Sequence, residues 1–132
     1  MQPMNTLAGH LESALQHHPY IAQVIVFGSL ATGRAGPDSD LDIAVQAAQP
    51  LTPEQKVALI DDLALAIGRP VDVVDLRTVG EPLLGQILKH GKRIHGSNSD
   101  FAALLSKHLI DSADFLPYVE RMLEEKRRAW MR

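Results

Sequence analysis

The stretch over residues 27–45, FGSLATGRAGPDSDLDIAV, constrains this chain more than any other. An apolar run, Val24-Ile25-Val26-Phe27, halts at Gly28-Ser29. Ten residues intervene before Asp40-Leu41-Asp42, which leads at once into Ile43-Ala44-Val45. Side chains repeat every two residues along a strand, so Asp40 and Asp42 share one edge of whatever sheet forms. Two carboxylates that close repel each other unless a divalent cation lies between them. Such a cation takes oxygen ligands, phosphate oxygens included. Gly28-Ser29, at the start of a short helix, offers backbone N–H groups and a hydroxyl to phosphate. The pattern predicts a metal–nucleotide site.

The flanking sequence predicts the scaffold. Leu7, Leu11, Ala14 and Leu15 recur at helical spacing, giving an amphipathic helix over residues 5–17 that ends near Pro19. Residues 21–27 and 41–46 read as strands, separated by a loop over 30–39 rich in glycine, proline and polar residues. Thr52-Pro53-Glu54-Gln55 opens a helix with an N-cap, proline at the first helical position and a capping glutamine, and Gly68 closes it after Ile67. Arg69-Pro70 leads to a third strand over 71–76, a helix follows over 82–90 up to Gly91, and residues 92–95 add a short strand. Residues 99–131 are helical by pattern, with Phe101, Leu104, Leu105, Leu109, Leu116, Val119 and Leu123 along one stripe. Pro117 is expected to kink that segment or to start a second helix with Asp114 as its N-cap. The reading is an α/β domain: a small mixed sheet flanked by helices, with a nucleotide-site core over residues 1–97 and a C-terminal helical extension over 98–132 packed on it.

Bulk properties exclude several alternatives. At 132 residues, 45% of them hydrophobic, the chain can bury a core as one domain. A net charge of −3 argues against a broad basic surface for DNA or RNA, so no direct nucleic-acid contact is expected. The absence of cysteine excludes disulfides and thiolate zinc sites. The first residues show no charged segment followed by an apolar one, and no apolar stretch approaches the roughly 20 residues that span a bilayer. A cytoplasmic location without membrane attachment is the expectation.

Gly28-Ser29, ten residues, then Asp40-Leu41-Asp42, with an apolar strand on either side, resembles the signature of the polymerase-β-like nucleotidyltransferase superfamily. The small size is similar to its minimal nucleotidyltransferase (MNT) branch, the MntA-like antitoxins encoded beside HEPN-domain toxins, and the likeness runs along roughly the whole chain. The resemblance implies a polymerase-β-like core. It further implies a type VII-like antitoxin that transfers AMP from ATP onto a tyrosine of its cognate HEPN ribonuclease toxin, forming a hetero-oligomer with it. Two Mg²⁺ ions are implied as cofactors, and the choice of adenine comes from the family rather than from any residue here.

Such chemistry calls for a third carboxylate, and residues 71–76 offer Asp72 and Asp75, which have opposite parity on a strand. Asp72, between Val71 and Val73, matches the family's apolar-Asp-apolar pattern and is favoured; Asp75 at the strand's end suits a turn or cap. The expected site is therefore Asp40, Asp42 and Asp72 as metal ligands, with Asp72 also accepting the acceptor's proton, and Gly28, Ser29 and Arg34 against the phosphates. Asp38 is equally a candidate contact to phosphate or acceptor and a solvated loop residue, and Ser39 reads as a structural residue beside the acidic pair rather than one that orients it. The six histidines show no metal-ligand spacing and are assigned no catalytic role. Arg121, Lys126, Arg127, Arg128 and Arg132, mixed with Glu120, Glu124 and Glu125, suit a salt-bridged exposed face. Trp130 beside those cations is equally a candidate for toxin contact and for packing back on the domain. Two other functions fit the chain less well: a nucleotidyltransferase for a small-molecule hydroxyl, and an antitoxin that only masks its toxin.

Overall fold

The computed structural model describes residues 4–36, 39–111 and 115–130. Four strands, β1 (Ile21–Phe27), β2 (Leu41–Ala47), β3 (Val71–Asp75) and β4 (Lys92–His95), form one sheet in the order β3-β2-β1-β4. β1 runs antiparallel to β2 and to β4, and β2 runs parallel to β3, so the sheet is mixed. The parallel pair needs a crossover, and α3 (Pro53–Ile67) provides it.

α3 starts and stops where its sequence dictates. The Gln55 amide donates to the Thr52 hydroxyl at 3.1 Å while the Thr52 amide donates to the Gln55 side chain at 2.9 Å, a complete capping box. Gly68, at φ 71°, ends it by donating to the Ala64 carbonyl at 2.9 Å. α1 (Met4–Leu15) packs beside α3 on one face of the sheet. Leu7, Leu11, Ala14 and Leu15 from α1, and Leu59, Leu63 and Ile67 from α3, close over Val24, Val26, Leu41, Ile43, Val45 and Val73. On the other face, Leu84 and Ile87 of α4 (Leu83–His90) and Leu104 of α5 (Asn98–Asp111) cover Ile25, Ala44 and Leu76.

This two-sided burial places the acids. Leu41, Ile43 and Val45 point toward α1 and α3, so Asp42 and Ala44 point the other way. Asp42 registers with Asp72, and Ala44 with Val74, across the parallel β2–β3 pair. Alternation therefore sets Ala44 and Val74 under the second helical layer and leaves Asp42 and Asp72 side by side at the end of the same face.

The C-terminal segment forms two helices, α5 and α6 (Phe115–Trp130), with Pro117 near the start of the second. The expected Asp114 cap lies outside the described residues, as do the side chains of Leu116 and Val119. Leu104 is buried and Phe101 half-buried, whereas Leu105, Leu109, Leu123 and Trp130 are exposed, the last at 89%. Much of the apolar stripe thus stays in water, and Trp130 does not pack back on the domain. Glu124 pairs with Arg127 at 2.6 Å and approaches Arg128 at 3.7 Å, the salt-bridged face expected there. Among the described residues, no helix is long and apolar enough to cross a membrane.

Candidate active site

β1 delivers the Gly-Ser element to the acids. Phe27 registers with Asp42, so the chain leaves β1 at Gly28 directly beside the Asp42 carboxylate. Gly28 adopts φ 72°, ψ −153°, a region essentially closed to residues with a Cβ. A Cβ there would collide with the Asp42 Oδ2 and lie 3.1 Å from its Cγ. Glycine is required at this position by its neighbour as well as by its backbone. Its carbonyl accepts from the Ala31 and Thr32 amides at 3.2 Å each, turning the chain into the short helix α2 (Ser29–Thr32). Ser29 is half-buried at the first position of that helix, and Arg34, just beyond it, is exposed.

The acids sense one another. The Asp42 carboxyl is raised above its ordinary range, first by burial and then by the negative charges of Asp72 and Asp40. Burial and neighbouring negative charge both disfavour the ionised form of a carboxyl. All the donors are oxygens, which suits Mg²⁺ chemistry. Among the described residues, no three carboxylate or imidazole groups are drawn tightly enough to enclose a cation by themselves. Such an edge fits an ion that also takes oxygens from a triphosphate.

Asp75 stands apart from this group. Its Oδ2 accepts from the Leu51 amide and its Oδ1 from the Arg77 amide, each at 2.8 Å, so it caps the turns at the far end of β3. Asp38 lies outside the described residues. Ser39 has a structural place: its hydroxyl accepts from the Gly36 amide at 2.8 Å. Three histidines are engaged away from the acids. His18 bridges Asp62 and Tyr20 at 2.6 and 2.9 Å, His95 meets Glu12 at 3.1 Å, and His108 meets Glu81 at 2.6 Å.

Two arginines were silent in the sequence. Arg69 donates to the Ser39 carbonyl at 3.0 Å, and Arg77 donates to the Ala47 carbonyl at 2.7 Å. Each lies two residues outside β3, the only sequence clue that they clasp the two ends of neighbouring β2.

The polymerase β nucleotidyltransferase family model matches residues 10–115. The chain belongs to this family. Over 82 residues it is 37% identical to the protein adenylyltransferase MntA of Shewanella oneidensis, a match covering 62% of this chain and 59% of that protein. A toxin–antitoxin crystal structure with AMP-PNP superposes with a TM-score of 0.72 at 28% identity, covering 94% of each chain. The complex of the tri-AMPylated Shewanella oneidensis HEPN toxin with its MNT antitoxin superposes with a TM-score of 0.68 at 25% identity, covering 98% of this chain and 96% of that one. The mixed four-stranded sheet with flanking helices and a C-terminal helical segment is the fold of this family.

Proposed function

We propose that this chain is an antitoxin that moves AMP from ATP onto a tyrosine hydroxyl of a cognate HEPN ribonuclease toxin. The observation that carries the reading is the acidic edge: Asp42 beside Asp72 in register, Asp40 close enough to raise the Asp42 carboxyl, and Gly28-Ser29 against them. The likeness to MntA and to toxin–antitoxin complexes with AMP-PNP or an AMPylated toxin supplies donor and acceptor.

In this reading Asp40, Asp42 and Asp72 are the residues that would hold Mg²⁺, two ions, whose charge would neutralise the triphosphate. Ser29 donates to a phosphate oxygen, and the missing side chain of Gly28 keeps that approach open. Arg34, exposed just beyond α2, would contribute positive charge to the phosphates. Asp72, exposed at the strand edge, receives the proton of the attacking tyrosine. The tyrosine oxygen bonds to the α-phosphorus, the bond to the bridging oxygen breaks, and pyrophosphate leaves. Catalysis here rests chiefly on electrostatic stabilisation of the transition state, so losing one carboxylate is expected to remove several kcal/mol of it.

The exposed Leu123 and Trp130 on α6, beside Arg127 and Arg128, are the part of the C-terminal extension that would meet the toxin. Trp130→Ala with Leu123→Ser should weaken toxin capture, and unchanged capture would remove α6 from the interface. For the activity, ATP labelled at the α-phosphorus is incubated with Mg²⁺ and the co-purified toxin. Label on the toxin that disappears with Asp40→Ala/Asp42→Ala establishes AMPylation by this pair. A tight complex without label would leave masking as the mechanism.

A further inference from the structure

We infer that Arg69 is a positioning residue that fixes the Asp40 carboxylate for the metal–nucleotide; this rests on the nucleotidyltransferase reading above. Asp40 is exposed and lies just before β2, outside the strand. Both peptide groups that adjoin it are nevertheless held, and by the same dipeptide. The Arg69 guanidinium donates to the Ser39 carbonyl at 3.0 Å, and the Pro70 carbonyl accepts from the Leu41 amide at 2.9 Å. Two bonds, one on either side of the Cα, limit rotation of the Asp40 backbone and with it the direction of its side chain. The loop before it is further tightened by the Ser39 amide donating to the Gly36 carbonyl at 3.2 Å. Asp72 follows Pro70 by two residues and registers with Asp42. One short segment, residues 69–72, thus pins the first acid and supplies the third.

Arg77 makes the role separable from general stability. It donates to the Ala47 carbonyl at 2.7 Å, the same kind of bond between a β3 flank and β2, but at the end of β2 away from the acids. A merely structural clasp predicts the same consequences for both arginines. A positioning role predicts a consequence for Arg69 alone. Residues that orient metal ligands typically change metal affinity by roughly 10- to 100-fold when removed.

The test uses Arg69→Ala, Arg69→Lys and Arg77→Ala in the full chain, with two readouts. Amide hydrogen exchange of Asp40 and Leu41 by NMR, without metal, reports the clamp. Calorimetric titration with AMP-PNP in the presence of Mn²⁺ reports the site. Faster exchange and roughly 10-fold weaker binding for Arg69→Ala, partial recovery for Arg69→Lys and wild-type binding for Arg77→Ala would support the inference. Equal binding by all the variants and the wild type, or equal losses at Arg69 and Arg77, would overturn it. A wild type that binds no nucleotide with Mn²⁺ would instead sink the nucleotidyltransferase reading, and with it any metal-directed role of Arg69.

Discussion

Gly28→Ala is the substitution whose outcome follows most directly from the geometry. The backbone at φ 72°, ψ −153° penalises any Cβ, by about 1–3 kcal/mol for such a region. With an unfolding entropy of about 2.1 cal/mol/K per residue, 132 residues translate that into a fall of about 4–11 °C in Tm. The second effect is local: the new methyl would occupy the place of the Asp42 Oδ2, so the carboxylate has to swing away. A displacement of about 1 Å at a reacting centre can lower a rate roughly 100-fold, and AMP transfer should fall at least that far. Gly33→Ala separates the two effects. Gly33 also has positive φ, at 75°, but a Cβ there meets nothing within 4 Å. It should lower Tm by about 4–7 °C, from about 1–2 kcal/mol of left-handed strain, and leave transfer intact. Thermal melts, together with transfer of labelled AMP measured well below the melting range, provide the comparison. If Gly28→Ala transfers AMP as fast as Gly33→Ala, the contact between Gly28 and Asp42 does not position the acid.

The remaining expectations concern the acids and the C-terminal helices. Because the Asp42 carboxyl is raised, the folded protein holds that proton more tightly than the unfolded chain does. Metal-free stability is therefore penalised above the folded pKa and recovers as pH falls through it. Asp42→Asn should raise Tm at neutral pH while abolishing transfer, and its advantage over wild type should shrink on acidification; an advantage that does not change with pH would contradict the electrostatic account. Asp72→Asn should abolish transfer with little change in stability. Asp75→Asn leaves the Leu51 or Arg77 amide without its carboxylate oxygen, at about 1–3 kcal/mol, and should transfer normally. Loss of transfer in Asp75→Asn alone would exchange the two roles. Leu104→Ala, at a site 2% exposed, should cost about 2–5 kcal/mol in urea unfolding. A cost well below 1 kcal/mol would mean that α5 is not part of the cooperative core.

Strong periodicity explains why the scaffold was legible. α3 carries a capping box at one end and glycine at the other, and its bounds follow from those residues alone. Parity on β3 separates Asp72 from Asp75 before any coordinates are known, and the register with Asp42 accounts for the distinction. What sequence withheld depends on contacts between distant segments. Arg69 and Arg77 look like solvated loop cations until the parallel pairing of β2 and β3 brings them to main-chain carbonyls 30 residues away. Gly28 was legible as a glycine of a phosphate loop, but one of the two reasons it cannot carry a side chain is Asp42, which only the antiparallel pairing of β1 with β2 brings beside it. The C-terminal stripe misled for the opposite reason. Helical spacing reveals an apolar face but not what covers it, and here Leu104 enters the core while Leu105, Leu109 and Leu123 do not.

A cluster of acids works against folding, and β2 shows how one strand can carry it. Leu41 and Ile43, the neighbours of Asp42, are fully buried against the α1 and α3 layer. Asp42 projects from the opposite face, where Ala44, two residues on, is again fully buried under the second layer. Apolar burial of about 1.5–3 kcal/mol for each large side chain thus flanks a residue whose charge the folded state disfavours. The period of two keeps the jobs apart: apolar positions fix the register, and the register fixes where the charge falls. A one-residue slip of β2 would bury Asp42 under α1 and α3 and turn Leu41 and Ile43 to the face that carries the acids, so the packing that stabilises the sheet also excludes the alignments in which the acids fail to meet. Substitutions at Leu41 or Ile43 should therefore lower stability without moving the pH dependence of nucleotide binding, whereas substitutions at Asp42 should do the reverse.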